Sequence, residues 1–303
     1  MPEPLAYLNG RFLPASEAHL PLHDAGFIFG ATVTDLCRTF RHRLYRLNDH
    51  LTRFRYSCQL AHVPQPLADE ELRRIAEKLV SNNAQLLQPN QDLALVMFAT
   101  PGPIGYYVGL EGGLGDGPPT LCMHTFPLPF ARYRGFFREG VHLAIPPTPH
   151  FSSSLIDPRI KQRSRMHWWL ADREVHASSP NAIALLLDTN NHVTETAAAN
   201  FLIVRNGTVL SPPRSSILGG ISLQTVEELC HQLAIPFAET DLSPADCLAA
   251  DEAMLSSTPY CLAPVSRVND SAISWPGPIL ERLVAAWSQQ VGLDIRQQIL
   301  ASR

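Results

Sequence analysis

The stretch Phe201–Leu210, FLIVRNGTVL, sets Asn206-Gly207 between two runs of apolar and β-branched residues. Asn-Gly flanked in this way is the strongest short-range signal for a two-residue hairpin turn. The same signature opens the chain, where LAYLNGRFLP (5–14) turns on Asn9-Gly10. Further strands are read in ALVMFAT (94–100), TLCMHTF (120–126), residues 141–146, IALLLD (183–188) and residues 253–257. Helical periodicity occupies about 48–61, with Leu51, Phe54 and Cys58 at i, i+3 and i+7, and about 68–86, with Leu72, Ile75, Ala76, Leu79 and Val80 on one face. Helices are also expected over about 162–177, 221–233 and 278–291. Hairpins dominate the strand connections, which predicts an α+β chain and disfavours a doubly wound parallel sheet.

Working outward, the Gly- and Pro-rich PGPIGYYVGLEGGLGDGPP (101–119) reads as loop. In FPLPFARYRGF (126–136), Pro127 and Pro129 should interrupt strand and helix alike. The expected division is therefore a smaller N-terminal domain over 1–126, a connection over 127–137 and a larger domain over 138–303.

The 303 residues, 45% hydrophobic and 17% charged, suffice for a sizeable core. A net charge of -4 offers no footprint for nucleic acid or an anionic membrane. No apolar run is long enough to span a bilayer, and MPEPLAYLNG lacks the basic-then-apolar order of a signal peptide, so a cytoplasmic location is expected. The six cysteines are widely spaced and form no C-x-x-C pair, and no H-x-x-x-H pair with a neighbouring acid is read on a helix; buried, reduced thiols and no metal are expected.

Only two lysines occur, Lys78 and Lys161. Lys78 falls on the polar side of an amphipathic helix, an ordinary solvated position. Lys161, in SSSLIDPRIKQRSRMHWW, stands where a loop meets an expected helix, with Arg159, Arg163 and Arg165 close by. Neighbouring cations and desolvation favour the neutral amine that attacks a carbonyl, although such a lysine is more often merely on the surface. Glu195, in VTETAAANF, is an acid in an otherwise small and apolar stretch. A buried carboxylate needs a partner, whether an ordinary salt bridge, a helix cap or a ligand cation. Gly219 and Gly220 precede an expected helix whose first turn carries Ile221 and Ser222. Free N–H groups there suit a phosphate, and equally suit a simple cap. Arg53 and the hydroxyl cluster Ser256, Ser257 and Thr258 could complete such an anion site.

The order of these motifs resembles the fold-type IV pyridoxal-phosphate (PLP) enzymes: branched-chain aminotransferases, D-amino acid aminotransferases and aminodeoxychorismate lyase. The likeness runs from YLNGRFLP through DAGFIFG (24–30), HLTRF (50–54), Lys161, TETAAANF (194–201), ILGGIS (217–222), ADEAMLSST (250–258) and AP-V (263–265). It implies two α/β domains with the cofactor at their interface, and a homodimer. It further implies that Lys161 carries PLP as a Schiff base and shuttles the proton, and that Glu195 pairs with the pyridine nitrogen. By the same resemblance, Arg53, the backbone of Ile221, Ser222, Ser257 and Thr258 hold the phosphate, and Leu218 lies against the ring. The reaction implied is transfer of an amino group from an amino acid, branched-chain-like or D, to a 2-oxo acid.

The substrate side departs from the family pattern. Gly30-Ala31-Thr32-Val33-Thr34-Asp35 lacks the aromatic residue of many relatives, and Met166 stands where branched-chain enzymes carry a tyrosine. Gly102-Pro103-Ile104-Gly105 offers no arginine, and Pro259 removes a backbone donor. Thr34, Ile104 and Arg165 are the substrate-side candidates; Arg132, Arg134 and Arg163 are further arginines for a carboxylate. Ser164-Arg165 is nearer the lyase pattern, so a lyase releasing pyruvate is the alternative, and a non-catalytic PLP-binding relative a lesser one.

Overall fold

The structure, a computed structural model, describes residues 3–88, 90–109, 111 and 117–302. Part of the loop expected over 101–119 thus lies outside the described residues. The chain divides into two compact units, one formed by Met1–Leu128 with Ile160–Ser164, the other by Pro129–Arg159 with Arg165–Arg303. The division differs from the linear one expected from sequence, because five residues around Lys161 return to the first unit.

The first unit carries strands β1 (Leu5–Leu8), β2 (Arg11–Pro14), β3 (Val33–Phe40), β4 (Arg43–Leu44), β5 (Leu93–Thr100) and β6 (Thr120–Pro127), with helices α1 (Ala25–Ile28), α2 (Leu47–Leu60) and α3 (Asp69–Asn83). The strands form one antiparallel sheet in the order β2-β1-β6-β5-β3-β4. Asn9 and Gly10 turn β1 into β2 with φ of 47° and 87°, as a two-residue hairpin requires. Side chains alternate across a strand. Val33, Cys37, Leu95, Met97, Ala99, Leu121 and Met123 therefore share the face that packs on Leu51, Phe54 and Cys58 of α2 and Leu72, Ile75 and Leu79 of α3. The opposite face carries the rung Thr34–Phe98–Cys122 and, beside it, Leu36–Val96–His124.

The second unit contains α4 (Phe130–Arg138), β7 (Val141–Ala144), α5 (Met166–Ser178), β8 (Ile183–Leu187), β9 (Val193–Thr196), β10 (Asn200–Arg205), β11 (Thr208–Ser211), α6 (Ile221–Gln232), β12 (Phe237–Glu239), α7 (Pro244–Leu248), β13 (Glu252–Ser257), β14 (Cys261–Val268), β15 (Ser271–Ala272), α8 (Pro278–Val291) and α9 (Ile295–Leu300). Its sheet runs β12-β11-β10-β13-β14-β7-β8-β9, and β9 pairs back onto β10, so six strands close a circuit. The closing pair is Glu195 with Asn200. The expected hairpin turns at Asn206 and Gly207, with φ of 49° and 74°.

Several segments differ from their sequence reading, which also lacks β12, β14 and α9. Strand β3 is absent from that reading, because VTDLCRTF is polar in pattern. Residues 126–136 do not form a simple connection: β6 runs to Pro127 and α4 begins at Phe130, with Pro129 just outside its first turn. Proline is tolerated there because the N–H groups at a helix start have no intrahelical partner. The helix expected from 162 begins only at Met166. All six cysteines are buried and free. Among the described residues no helix is long and apolar enough to cross a membrane, and no cluster is suited to a metal ion.

Candidate active site

In the first unit, Gln162 forms an antiparallel bridge with Val33 at the start of β3, with residues 161 and 163 on either side of it. Thr34 N–H donates to the Lys161 carbonyl at 2.8 Å, and Arg163 N–H donates to the Thr32 carbonyl at 2.9 Å, on either side of the pair Val33–Gln162. The Lys161 N–H donates to Ser57 Oγ of α2 at 3.2 Å. These bonds satisfy a backbone that would otherwise compete for helix, which is why α5 starts later. Ile160 packs into the core shared by the sheet, α2 and α3. By strand alternation Gln162 follows Ile160, while Lys161 and Arg163 take the opposite face, with Thr34. The other lysine, Lys78, places its ammonium 4.0 Å over the ring of Phe12, a packing role.

Arg53 lies on α2 with His50 one turn before and Ser57 one turn after, a spacing that aligns them on one face. Its guanidinium grips Asp35 of β3 with two bonds, Nε to Oδ2 at 2.8 Å and Nη2 to Oδ1 at 2.9 Å. His50 Nδ1 meets Asp35 Oδ1 at 2.7 Å. Asp35 is fully buried. Burial alone would raise its pKa; the charges of Arg53 and His50 and their hydrogen bonds overcome this and hold the carboxyl well below the usual range. Burial keeps His50 below its ordinary value despite the attraction of Asp35. Asp35 and His50 carry no role in the sequence reading; the available signal is His50 three residues before Arg53 on one helix.

In the second unit, Glu195 on β9 is buried at the seam of the sheet. Its Oε2 accepts from Asn200 Nδ2 at 3.0 Å, and its Oε1 from the Leu218 N–H at 3.2 Å. Asn200 Nδ2 also donates to the Leu218 carbonyl at 2.8 Å, which ties Leu218 to the strand. A side chain at position 220 would strike Asn200, its Cβ falling 2.0 Å from Oδ1, so Gly220 is what lets the chain pass into α6. Beyond Glu195 stands buried His150, with Nε2 4.0 Å from Oε1 and Nδ1 donating to the Phe151 carbonyl at 3.0 Å. Burial lowers its pKa, partly offset by that bond and by Asp188.

Helix α6 starts at Ile221 after Gly220 and has no side-chain cap. Ser256 Oγ, on β13, is buried without a hydrogen-bond partner. An uncapped helix start and an orphan buried hydroxyl within one unit fit an anionic group. Ser257 Oγ donates instead to the Ala198 carbonyl at 2.6 Å, and Thr258 follows β13 directly. Of the substrate-side candidates, Thr34 donates to the Met97 carbonyl at 2.9 Å, Ile104 is wholly buried, and Arg165 donates to the Ala197 carbonyl at 2.7 Å.

Residues 32–268 match the amino-transferase class IV family. The chain belongs to that family and is a transferase, with an α+β fold of type IV. It is 26% identical over 275 residues to a putative branched-chain-amino-acid aminotransferase of Methanocaldococcus jannaschii, spanning 88% of this chain and 89% of the relative. It is 24% identical over 279 residues to a D-alanine aminotransferase of Listeria monocytogenes, spanning 91% and 92%. The fold is similar to that of the T.th. branched-chain amino acid aminotransferase crystallised with pyridoxamine 5'-phosphate, at a TM-score of 0.83 and 22% identity over 96% of this chain and 95% of the other.

Proposed function

We propose that this protein is a PLP-dependent aminotransferase in which Lys161 is the catalytic residue. The observation that carries the reading is the segment around Lys161, one of only two lysines, pinned by main-chain bonds to β3 and by Ser57 to α2. A lysine that works as nucleophile and then as acid and base has to be held in place before the substrate arrives. PLP, when bound, supplies an electron-withdrawing ring that stabilises negative charge on the substrate α-carbon. The lysine amine takes the proton from that carbon and returns it elsewhere in the second half of the transfer.

Glu195 holds a proton at the pyridine nitrogen, kept in line by Asn200 and the Leu218 N–H. Ile221, Ser222, Ser257, Thr258 and Arg53 are assigned to the phosphate, and Leu218 to the ring face. The uncapped start of α6 supports that assignment. Asp35 orients Arg53 through two bonds. The donor is an amino acid of the branched-chain or D class and the acceptor a 2-oxo acid, in line with the relatives' names. A cytoplasmic homodimer is part of the proposal.

The test is to load the purified protein with PLP, trap the lysine-bound cofactor with borohydride and locate it by peptide mass. L- and D-amino acids are then added one at a time to the untrapped form. Trapping on Lys161 and conversion of the cofactor to its amine form by one donor is expected. Pyruvate release from aminodeoxychorismate, with no amine form accumulating, would instead identify a lyase. No trapping on Lys161 would overturn the mechanism.

A further inference from the structure

Strand alternation sets Arg163 on the same face as Lys161, two residues and about 7 Å further along an extended chain. Its neighbours in sequence are already engaged. Arg159 pairs with Asp157 at 2.5 Å, and Arg165 donates to the Ala197 carbonyl. Arg163 has no acidic partner among the described residues: its Nη2 donates to Thr34 Oγ1 at 3.2 Å, and its guanidinium stands 5.5 Å from the centre of the Phe98 ring. One of its five N–H donors is thus bonded to Thr34, and one side of the group lies along the rung Thr34–Phe98–Cys122. The positive charge is felt by its surroundings. Burial first, and the charge of Arg163 after it, lower the pKa of His124, against a hydrogen bond that its ring makes to the Thr125 backbone.

We propose that Arg163 receives the substrate's carboxylate, so that the enzyme selects amino and 2-oxo acids that carry a free carboxylate beside the reacting carbon. This rests on the aminotransferase reading. A planar fork with an uncompensated charge, beside an apolar ring and on the face of the reacting amine, suits a carboxylate. In an α-amino acid the carboxylate is one bond from the carbon that Lys161 must reach, and adjacent side chains on one face can serve both. The assignment also answers the departures noted in the sequence, where Gly102–Gly105 offers no arginine and Pro259 no N–H.

The test uses the full chain loaded with PLP, with loading read separately by borohydride trapping and peptide mass. Isothermal titration compares 4-methylpentanoate, an unreactive carboxylate, with 4-methylpentan-1-ol. The acid should bind the original protein better than the alcohol. Arg163→Met should weaken the acid by roughly 10- to 100-fold, the worth of one charge-assisted interaction, and Arg163→Lys should restore part of it. With amino acid donors, KM should rise more than kcat falls. Near-UV circular dichroism checks the fold, with Arg163→Gln as the substitute if the methionine variant does not fold. Binding of the acid to Arg163→Met within twofold of the original, or no preference for acid over alcohol in the original, overturns the proposal. Failure of PLP to load on Lys161 counts against the aminotransferase reading instead, and is seen in the trapping alone.

Discussion

Asp35 in the first unit and Glu195 in the second are both buried carboxylates, yet they are held by opposite means. Asp35 faces a guanidinium and an imidazole, which bind it with short, charge-assisted contacts. Glu195 accepts hydrogen bonds from a neutral amide and a main-chain N–H. An acid balanced inside the protein serves to fix its partner, here Arg53. Glu195 takes its hydrogen bonds from neutral donors, with the His150 ring 4.0 Å away, and in the proposed function it is the group that meets the ring nitrogen. The contrast separates a positioning carboxylate from one proposed to touch the cofactor.

The largest effect should come from removing the proposed catalytic lysine. Lys161→Ala is expected to reduce turnover by at least roughly 10,000-fold, the upper end for positioned acid–base work, while the urea midpoint stays near that of the original protein. Retained turnover would dissolve the comparison altogether. Asp35→Asn leaves Arg53 and His50 without their buried anion and should cost about 3–5 kcal/mol in urea unfolding, together with weaker PLP binding. Glu195→Gln should behave in the opposite way. It keeps an oxygen that accepts a hydrogen bond, so stability should fall by only about 1 kcal/mol, while activity drops on the order of 100-fold, as for loss of one preorganised electrostatic contact. If both variants lost stability equally, the distinction between the two carboxylates would be wrong.

A smaller effect is expected in the pH dependence of stability. Asp35 has a depressed folded pKa, so the unfolded chain binds its proton first; that contribution is complete above about pH 4 and disappears as acid titrates the folded form. His50 and His167 are also depressed, His167 to about 4, with burial as the leading cause and His150 and Arg165 adding to it. Their share is complete above the ordinary value of 6.5 and is lost as pH falls below it. Urea midpoints should therefore decline in two stages, first from about pH 6.5 and then below about pH 4. Because His124 and His150 are depressed as well, His167→Gln should make the first stage shallower without touching the second, and Asp35→Asn should act on the second. An unchanged first stage in His167→Gln would assign that loss to another group.

The parts of the fold that were legible in the sequence are those set by local rules. Both Asn-Gly hairpins lie where the turn chemistry demands, and α2, α3, α6 and α8 begin and end within a few residues of their periodic patterns. Strand β3 was illegible for a physical reason. Thr34, Asp35, Arg38 and Thr39 are buried in it because groups from other elements pair with them: Thr39 with Asp92 at 2.7 Å, Arg38 with Asp92 at 4.0 Å, Asp35 with α2. The candidate site divides in the same way. Lys161, Arg53 and Glu195 could be singled out from motif order, and Arg163 as one of several arginines for a carboxylate, whereas Asp35 and His50 acquire meaning only through their pairing between β3 and α2.

The sequence by itself determined an α+β chain, because hairpin turns and helical periods are local properties, and the order of its motifs carried the resemblance to the fold-type IV enzymes. Tertiary structure alone decided that residues 160–163 leave the second unit to pair with β3, and that β9 meets β10 at Glu195. It also decided that, of the three arginines around Lys161, two are engaged elsewhere. These outcomes depend on which unpaired backbone groups and buried charges find each other across the fold, and a buried polar group is settled by its partners rather than by its own place in the chain.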